Sequence, residues 1–435
     1  MTPPLAPVVV FVLCYALFIA LPRWRSAVAC AGAGVLVLIS GLTLREALFE
    51  KIQWNVVGLF FGTLILAELF MQSRMPAAMA EHLVRRTRTV RGAMVAVCAL
   101  AGFLSMFVEN VAVVLLVAQV ALSHLLVAPV ALSLADKLRI SPVQLLVLIA
   151  VSTNLQDTAT LIGDPPSMIL AGYMKMAFND FFVYQGKLGI FFAVQAGGAA
   201  ALAVTVWLLR RHREAVAAIA QEEVRSWVPT ALLAALILGL SVTSVFDPDF
   251  KWLAGTLTMS LAGAALAWYR LGPRWTKVRD LVRTLDWDTT FFLMGIFVIV
   301  GGLSDSGWLD HLARLIATSV GSNLFAAFLL IVTVSVIVSG FVDNVPFLLA
   351  MIPVAQKVAD DLGAPVPLLL FGLLVGACLG GNITPIGASA NVVAVGMLKK
   401  RGYLVSFREF AAIGIPFTVA AVVAACAFIW WIWAP

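Results

Sequence analysis

Two apolar blocks of this chain, 92–132 and 321–356, are interrupted at their midpoints by Glu109-Asn110 and Asp343-Asn344. A carboxylate and an amide at the centre of a run otherwise suited to lipid restrict the fold sharply. Irregular backbone at membrane depth is tolerated only when buried in protein or lining a wet cavity. Each block therefore reads as a re-entrant hairpin that enters and leaves on one side, with the polar pair at its tip.

The remaining apolar stretches are long enough to span a bilayer, which takes about 20 residues. They lie near 5–22, 27–43, 54–72, 143–174, 187–209, 229–246, 252–270, 287–303, 366–398 and 410–433. With 62% hydrophobic and 12% charged residues, the chain has too few charges to cover a water-exposed surface. Soluble, disordered and nucleic-acid-binding classes are excluded. The expected fold class is an all-α integral membrane protein of ten transmembrane helices plus two hairpins. No basic residue precedes the first stretch, so it reads as a retained span, not a cleaved signal. The five cysteines show no C-x-x-C spacing, so neither a disulfide framework nor a zinc site is expected.

The net charge of +6 becomes informative once it is placed. The ten-span count puts 22 of the 29 Lys and Arg residues on the side of the first loop and 7 on the other. The positive-inside rule makes the first side cytoplasmic and both termini external, in a multi-pass protein of the inner membrane. No basic residue falls clearly inside a span.

The chain also repeats itself. Trp54 and Gly62 recur as Trp287 and Gly295, Phe107-Val108-Glu109-Asn110-Val111 as Phe341-Val342-Asp343-Asn344-Val345, and Thr160-Leu161-Ile162-Gly163 as Thr384-Pro385-Ile386-Gly387. Five spans fall in each half, so the second half is expected to be inverted. The division is 1–210, a cytoplasmic linker 211–228, and 229–435. Inverted repeats with interrupted helices are the pattern of secondary transporters. The spacing between the second and third motifs is ten residues longer in the first half. Leu115–Ser123 recurs as Leu125–Ser133 with only Gln119 and Pro129 differing, which reads as a tandem duplication. A helix protruding into the cytoplasmic interface, continuing past Pro129, is expected there.

Ionisable residues inside spans mark functional sites. Glu109 and Asp343 are symmetry-related at the hairpin tips, where carbonyls coordinate cations well and a carboxylate neutralises a cation or takes up a proton. Alternatively, each acid caps its own hairpin arm or pairs with an Arg. Asp164, in Gly163-Asp164-Pro165-Pro166, sits where two prolines break the helix. It either joins the coupling site or caps the next half-helix. The second break, Thr384-Pro385-Ile386-Gly387, carries Ala388 in place of that acid. Asp157 faces either the cavity or the scaffold, Glu68 is assigned to the interface, and Cys378 corresponds to Asn154.

These motifs, with Gly-Gly-Asn-Ile-Thr-Pro-Ile-Gly-Ala-Ser-Ala-Asn-Val-Val at 380–393, resemble the ion transporter superfamily over nearly the whole chain. The nearest branch is that of arsenite permeases, NhaD-type sodium/proton antiporters and P-protein relatives. Divalent anion/sodium symporters and citrate transporters stand further off. The resemblance implies a scaffold of spans one to three and six to eight. It implies a transport unit of the hairpins with spans four, five, nine and ten, moving as an elevator in a homodimer. Ion coupling falls to Glu109, Asn110, Asp343, Asn344 and Asp164. Substrate binding falls to Asn154, Asp157, Thr160, Gly163, Asn382, Thr384, Gly387, Ser389 and Asn391. Many relatives have two glycines where this chain has Gln156-Asp157, and an asparagine at Ser167, so its first-half site is specialised.

The expected function is secondary transport of a small inorganic ion or oxyanion, arsenite-type efflux in exchange for protons being preferred. The alternatives are sodium/proton antiport and sodium-coupled uptake of an organic anion such as citrate. H⁺ or Na⁺ is the coupling ion, and no other cofactor is expected. A channel conflicts with the two broken helices. An intramembrane aspartyl protease would need a glycine at Leu161 and a Tyr-Asp partner. The chain is expected not to be an enzyme.

Overall fold

A computed structural model describes residues 5–39, 42–124, 142–212, 223–272, 275, 277–321 and 323–435. The first half runs through α1 (Leu5–Ala20), α2 (Arg25–Ile39), α3 (Trp54–Gln72), α4 (Met75–Arg86), α5 (Val90–Ser105), α6 (Asn110–His124), α7 (Pro142–Gln156), α8 (Pro165–Met174) and α9 (Ile190–Leu208). The second runs through α10 (Val228–Phe246), α11 (Leu253–Leu271), α12 (Val278–Thr284), α13 (Trp287–Asp305), α14 (Trp308–Val320), α15 (Leu324–Ser339), α16 (Asn344–Asp361), α17 (Val366–Gly380), α18 (Ser389–Lys400) and α19 (Phe407–Trp433). Between α8 and α9, Val183–Tyr184 pairs antiparallel with Lys187–Leu188. Its turn residues Gln185 and Gly186 both have positive φ, as a two-residue hairpin turn requires.

Among the described residues, six helices are long and apolar enough to cross a bilayer. They are α3, α9, α10, α13, α17 with its terminal turn, and α19. The runs 5–22 and 27–43 predict longer helices than form. α1 and α2 have 16 and 15 residues, about 24 and 22 Å at the usual rise, short of the roughly 30 Å hydrocarbon core. Leu21, which precedes a proline, leaves the helical region (φ −130°, ψ 61°) and so ends α1 early.

The sequence reading does not anticipate α4 and α14. Both are amphipathic connectors between a span and a hairpin. Each follows a residue in the left-handed region, Arg74 (φ 59°) and Gly307 (φ 80°). The second copy of the duplicated segment and the helix expected beyond Pro129 lie outside the described residues.

Small residues set the helix pairings. A Cβ on Gly62 would lie 2.7 Å from Thr258 Cγ2, and one on Gly295 would lie 2.6 Å from the Ala29 carbonyl carbon. These two glycines therefore let α3 pack tightly on α11 and α13 on α2. At the centre stand α7 and α17. Nearly every residue of both is buried, and both are apolar all round, as a core helix should be. They are the first arms of the two interrupted helices. Each ends in a single 3-10 turn, Asp157–Ala159 and Gly381–Ile383, before the chain resumes as α8 and α18. In the first break, Pro165 and Pro166 lack the N–H that continuation would need. The two hairpins, α5–α6 and α15–α16, bring residues 106–109 and 340–343 against these breaks.

Candidate functional site

The breaks and hairpin tips are tied together in the same way in each half. Thr160 donates its hydroxyl to the Met106 carbonyl, and Thr384 donates to the Gly340 carbonyl. Gly163 and Gly387 allow the chain to double back. A Cβ on Gly163 would lie 2.1 Å from the Asp157 carbonyl oxygen, and one on Gly387 2.6 Å from that of Gly381. No side chain fits at either position.

A chain of buried amides joins the two breaks. Asn110 Nδ2 donates to Asn154 Oδ1 at 3.0 Å and to Asp157 Oδ2 at 2.7 Å. Asn154 Nδ2 donates onward to Asn382 Oδ1 at 2.8 Å and Asn391 Oδ1 at 3.0 Å. Asn391 Nδ2 closes the second break through the Gly381 and Thr384 carbonyls at 2.9 and 3.0 Å. Asn382 Nδ2 reaches the Val151 carbonyl at 3.3 Å. Polar groups this deeply buried are costly unless satisfied, and here each partner satisfies the next. Ser167 stands where Asn391 stands in the second half. Among the described residues it makes one long contact, to the Thr158 carbonyl at 3.4 Å.

The halves then diverge. Asn110 finds Asn154 and Asp157, but the corresponding positions beside Asn344 are Cys378 and Gly381, which offer neither amide nor carboxylate. The Asn344 side chain instead lies beside Asp164, whose own counterpart is Ala388. Asp164 occupies the N-cap position of α8, yet its side chain makes no capping bond. Glu109 and Asp164 line one small cavity with Thr63 of α3, Phe107, Gly163 and Met168. Among the described residues Glu109 forms no ion pair; Asp286, Asp164 and Glu68 are the acids around it, and Arg25 is a basic residue within electrostatic reach.

Asp343 sits in different surroundings. It accepts from the Val345 N–H at 3.0 Å as the N-cap of α16, and its Oδ2 pairs with Arg25 Nη1 at 3.0 Å. Both structural alternatives open to it in the sequence are thus realised. Arg25, assigned to the first loop from the sequence, is half-buried. It heads α2, and its long side chain turns inward to Asp343, to Asp288 Oδ2 at 2.7 Å and to Thr289 Oγ1 at 2.7 Å.

Of the remaining expected residues, Ser389 is exposed at the start of α18 and joins no part of the amide chain. Asp157, Thr160, Asn382, Thr384 and Asn391 are all buried at the breaks. Glu68 accepts from Gln72 Nε2 at 2.8 Å. Cys378 is buried beside Thr158, Asp157 and Asp164. Sequence reasoning missed Arg25, Thr158, which donates to Asp157 Oδ1 at 3.2 Å, and Gln195, which donates to Gln156 Oε1 at 2.9 Å. Thr158 follows Asp157 directly and so was within reach of the sequence. Arg25 was hidden by its assignment to a loop.

Comparison with known proteins identifies the group. Residues 15–376 and 257–435 match the CitMHS family model, described as citrate transporter. An uncharacterized transporter of Mycobacterium tuberculosis is 28% identical over 436 residues, covering 97% of both chains. The human P protein is 27% identical over 465 residues, covering 86% of this chain and 53% of that protein. Among solved structures, the Alcanivorax borkumensis YdaH transporter aligns over 99% of this chain and 100% of its own with a TM-score of 0.63 at 15% identity. Neisseria gonorrhoeae MtrF, described as one of a class of antimetabolite efflux pumps, aligns over 98% and 95% with a TM-score of 0.57 at 12% identity. At these identities the two structures establish a shared transporter fold. The citrate transporters, which the motifs set at a distance, are the family whose model matches.

Proposed function

The chain belongs to the CitMHS citrate transporter family, and from that premise we propose that it is a cation-coupled secondary transporter carrying a small solute through the cytoplasmic membrane. The observation that supports this most is the amide network in which Asn154 joins Asn110 to both Asn382 and Asn391, linking one hairpin tip to both helix breaks. A solute held there contacts both halves at once, and broken helix ends offer it unpaired backbone groups. Glu109, Asp157 and Asp164 lie on one side of that chain and take the coupling H⁺ or Na⁺. Asn344 reports the state of Asp164 to the second hairpin. The two halves form an inverted repeat. The hairpins move with α7–α9 and α17–α19 against the remaining long helices, in a homodimer with external termini.

The solute follows from charge. Among the described residues no basic side chain belongs to the amide chain, while three carboxylates lie against it. A bare di- or trianion would be repelled there. A small neutral oxyacid such as arsenite, exchanged for protons, suits the amides, with Cys378 as one weak soft ligand. The family match favours a second reading, in which a citrate-like anion travels with bound cations that cancel its charge.

The test is a thermal-shift screen of the purified protein against arsenite, citrate, citrate with a divalent cation, and NaCl, at acid and alkaline pH. The ligand that stabilises the protein then goes into counterflow in proteoliposomes. Accumulation of labelled solute without net flux is expected. A conductive current with no exchange would replace the transporter reading with a channel.

A further inference from the structure

Arg25 is held twice by α13 and once by the second hairpin. Its Nε and Nη2 bond Asp288 Oδ2 and Thr289 Oγ1, both at 2.7 Å, and Nη1 bonds Asp343 Oδ2 at 3.0 Å. Asp286 buttresses the arrangement by accepting from the Thr289 hydroxyl, and Ser26 donates to the other Asp288 oxygen. The equivalent stretch of the first half reads Gln53-Trp54-Asn55-Val56 where the second reads Asp286-Trp287-Asp288-Thr289. Asn55 keeps the neutral version of the same contact. It accepts from the Gly255 N–H at 2.7 Å and donates to the Phe250 carbonyl at 2.8 Å, at the head of α11. So Asp286, Asp288 and Thr289, the residues that hold Arg25, have neutral, cation-free counterparts. Glu109, the counterpart of Asp343, makes no direct ion pair among the described residues, and Arg25 reaches it only through space.

We propose that Arg25 is the resident cation of the second hairpin, filling at Asp343 the place that a mobile cation fills at Glu109. With two bonds to α13 against one to the hairpin, Arg25 stays with α13 when the hairpin moves, and Asp343 leaves it. Cation coupling is then confined to the first half, and Arg25 sets the number of mobile cations. The inference rests on the proposed coupling site, but its test needs no transported solute. Around Asp343 the charged and titratable neighbours are Arg25 on α2, Tyr15 on α1, Asp286 and Asp288 on α13, and Asp164 at the first break.

The experiment places a thiol beside Asp343. Phe341 is exposed at the tip and Cys30 is an exposed native thiol, so Phe341→Cys is built with Cys30→Ser. The rate of alkylation is measured in the full-length protein with Arg25→Gln, Arg25→Lys, Asp343→Asn and Arg25→Gln/Asp343→Asn. Arg25→Gln and Asp343→Asn should each raise the rate severalfold, the double variant no further, and Arg25→Lys much less. Na⁺ against choline should slow the Arg25→Gln rate back toward the parent and leave the double variant unchanged; acid pH lowers the thiolate fraction and slows every variant, but should slow Arg25→Gln more than the double variant. Additive effects in the double variant, or a fast Arg25→Gln rate that Na⁺ does not slow and that acid slows no more than the double variant, would overturn the proposal. If the labelling cycle holds while no solute shows cation-dependent exchange, the coupling reading fails, and what stands is Arg25 as the cation that holds Asp343. Arg25→Lys and Asp343→Asn keep the test decisive should Arg25→Gln not fold.

Discussion

The side chain of Asn154 donates to Asn382 Oδ1 at 2.8 Å, joining the first interrupted helix to a residue 228 positions later in the second. Truncating either asparagine leaves a buried amide without its partner, which costs about 1–3 kcal/mol. Asn154→Ala and Asn382→Ala should each lower the thermal midpoint of the purified protein. The double variant should fall short of the sum, because both remove the same bond. Counterflow should be lost in all three. Full additivity would mean that the two side chains act independently.

Glu109 and Asp343 look equivalent in the sequence and should behave differently. Asp343→Asn removes the carboxylate that pairs with Arg25 and leaves an amide oxygen as a weaker helix cap, so it should destabilise by roughly 1–3 kcal/mol. Glu109→Gln removes a carboxyl group set among Asp286, Asp164 and Glu68, with Arg25 nearby but no direct ion pair to break among the described residues. It should leave the thermal midpoint unchanged or higher while abolishing cation dependence in exchange assays. A destabilised Glu109→Gln would show that the two tips are balanced alike.

Much of this was legible before the structure. The hairpin tips and both helix breaks follow from apolar runs interrupted at their centres and repeated in order, and the asparagines at the breaks come from the resemblance to the ion transporter superfamily. Three features were not. α4 and α14 are amphipathic and short, and a search for spans passes over them. The inward turn of Arg25 depends on Asp288 and Asp343, which are 263 and 318 residues away, and charge placement by loop assigns every cation near a helix end to water. The approach of Asn344 to Asp164 is a contact across the two halves that no motif spacing shows, although Cys378 in place of Asn154 can be read from the repeat.

The glycines at the breaks give a sterically defined prediction. At Gly163 and Gly387 an added methyl would overlap backbone carbonyl oxygens at 2.1 and 2.6 Å, and neither oxygen belongs to a flexible side chain. Gly163→Ala and Gly387→Ala should each cost more than about 3 kcal/mol, the range of severe overpacking, and should reduce the yield of folded protein. Gly396→Ala, with open space around its Cβ and a helical backbone, should gain slightly in stability. Size-exclusion profiles and thermal midpoints of the three variants check this, and a well-folded Gly163→Ala would refute the close approach.

Asp247, in the loop after α10, carries a pH signature of its own. Its carboxylate accepts from the N–H groups of Lys251, Trp252 and Leu253, each at 2.9 Å. Burial pushes the carboxyl up, but the three amides and the Lys251 charge outweigh it and hold the group below its usual range. A carboxyl depressed in the folded state stabilises above its unfolded value, near 3.9, and that contribution is lost as the pH falls through the folded value. Asp247→Asn should therefore destabilise by about 1.5–3 kcal/mol at neutral pH, the worth of hydrogen bonds to a charged group. The gap to the parent protein should close as the buffer is taken below about pH 4. Thermal midpoints of the two proteins across that range test the sign. A gap that widened in acid would mean that the loop is held by something other than this carboxylate.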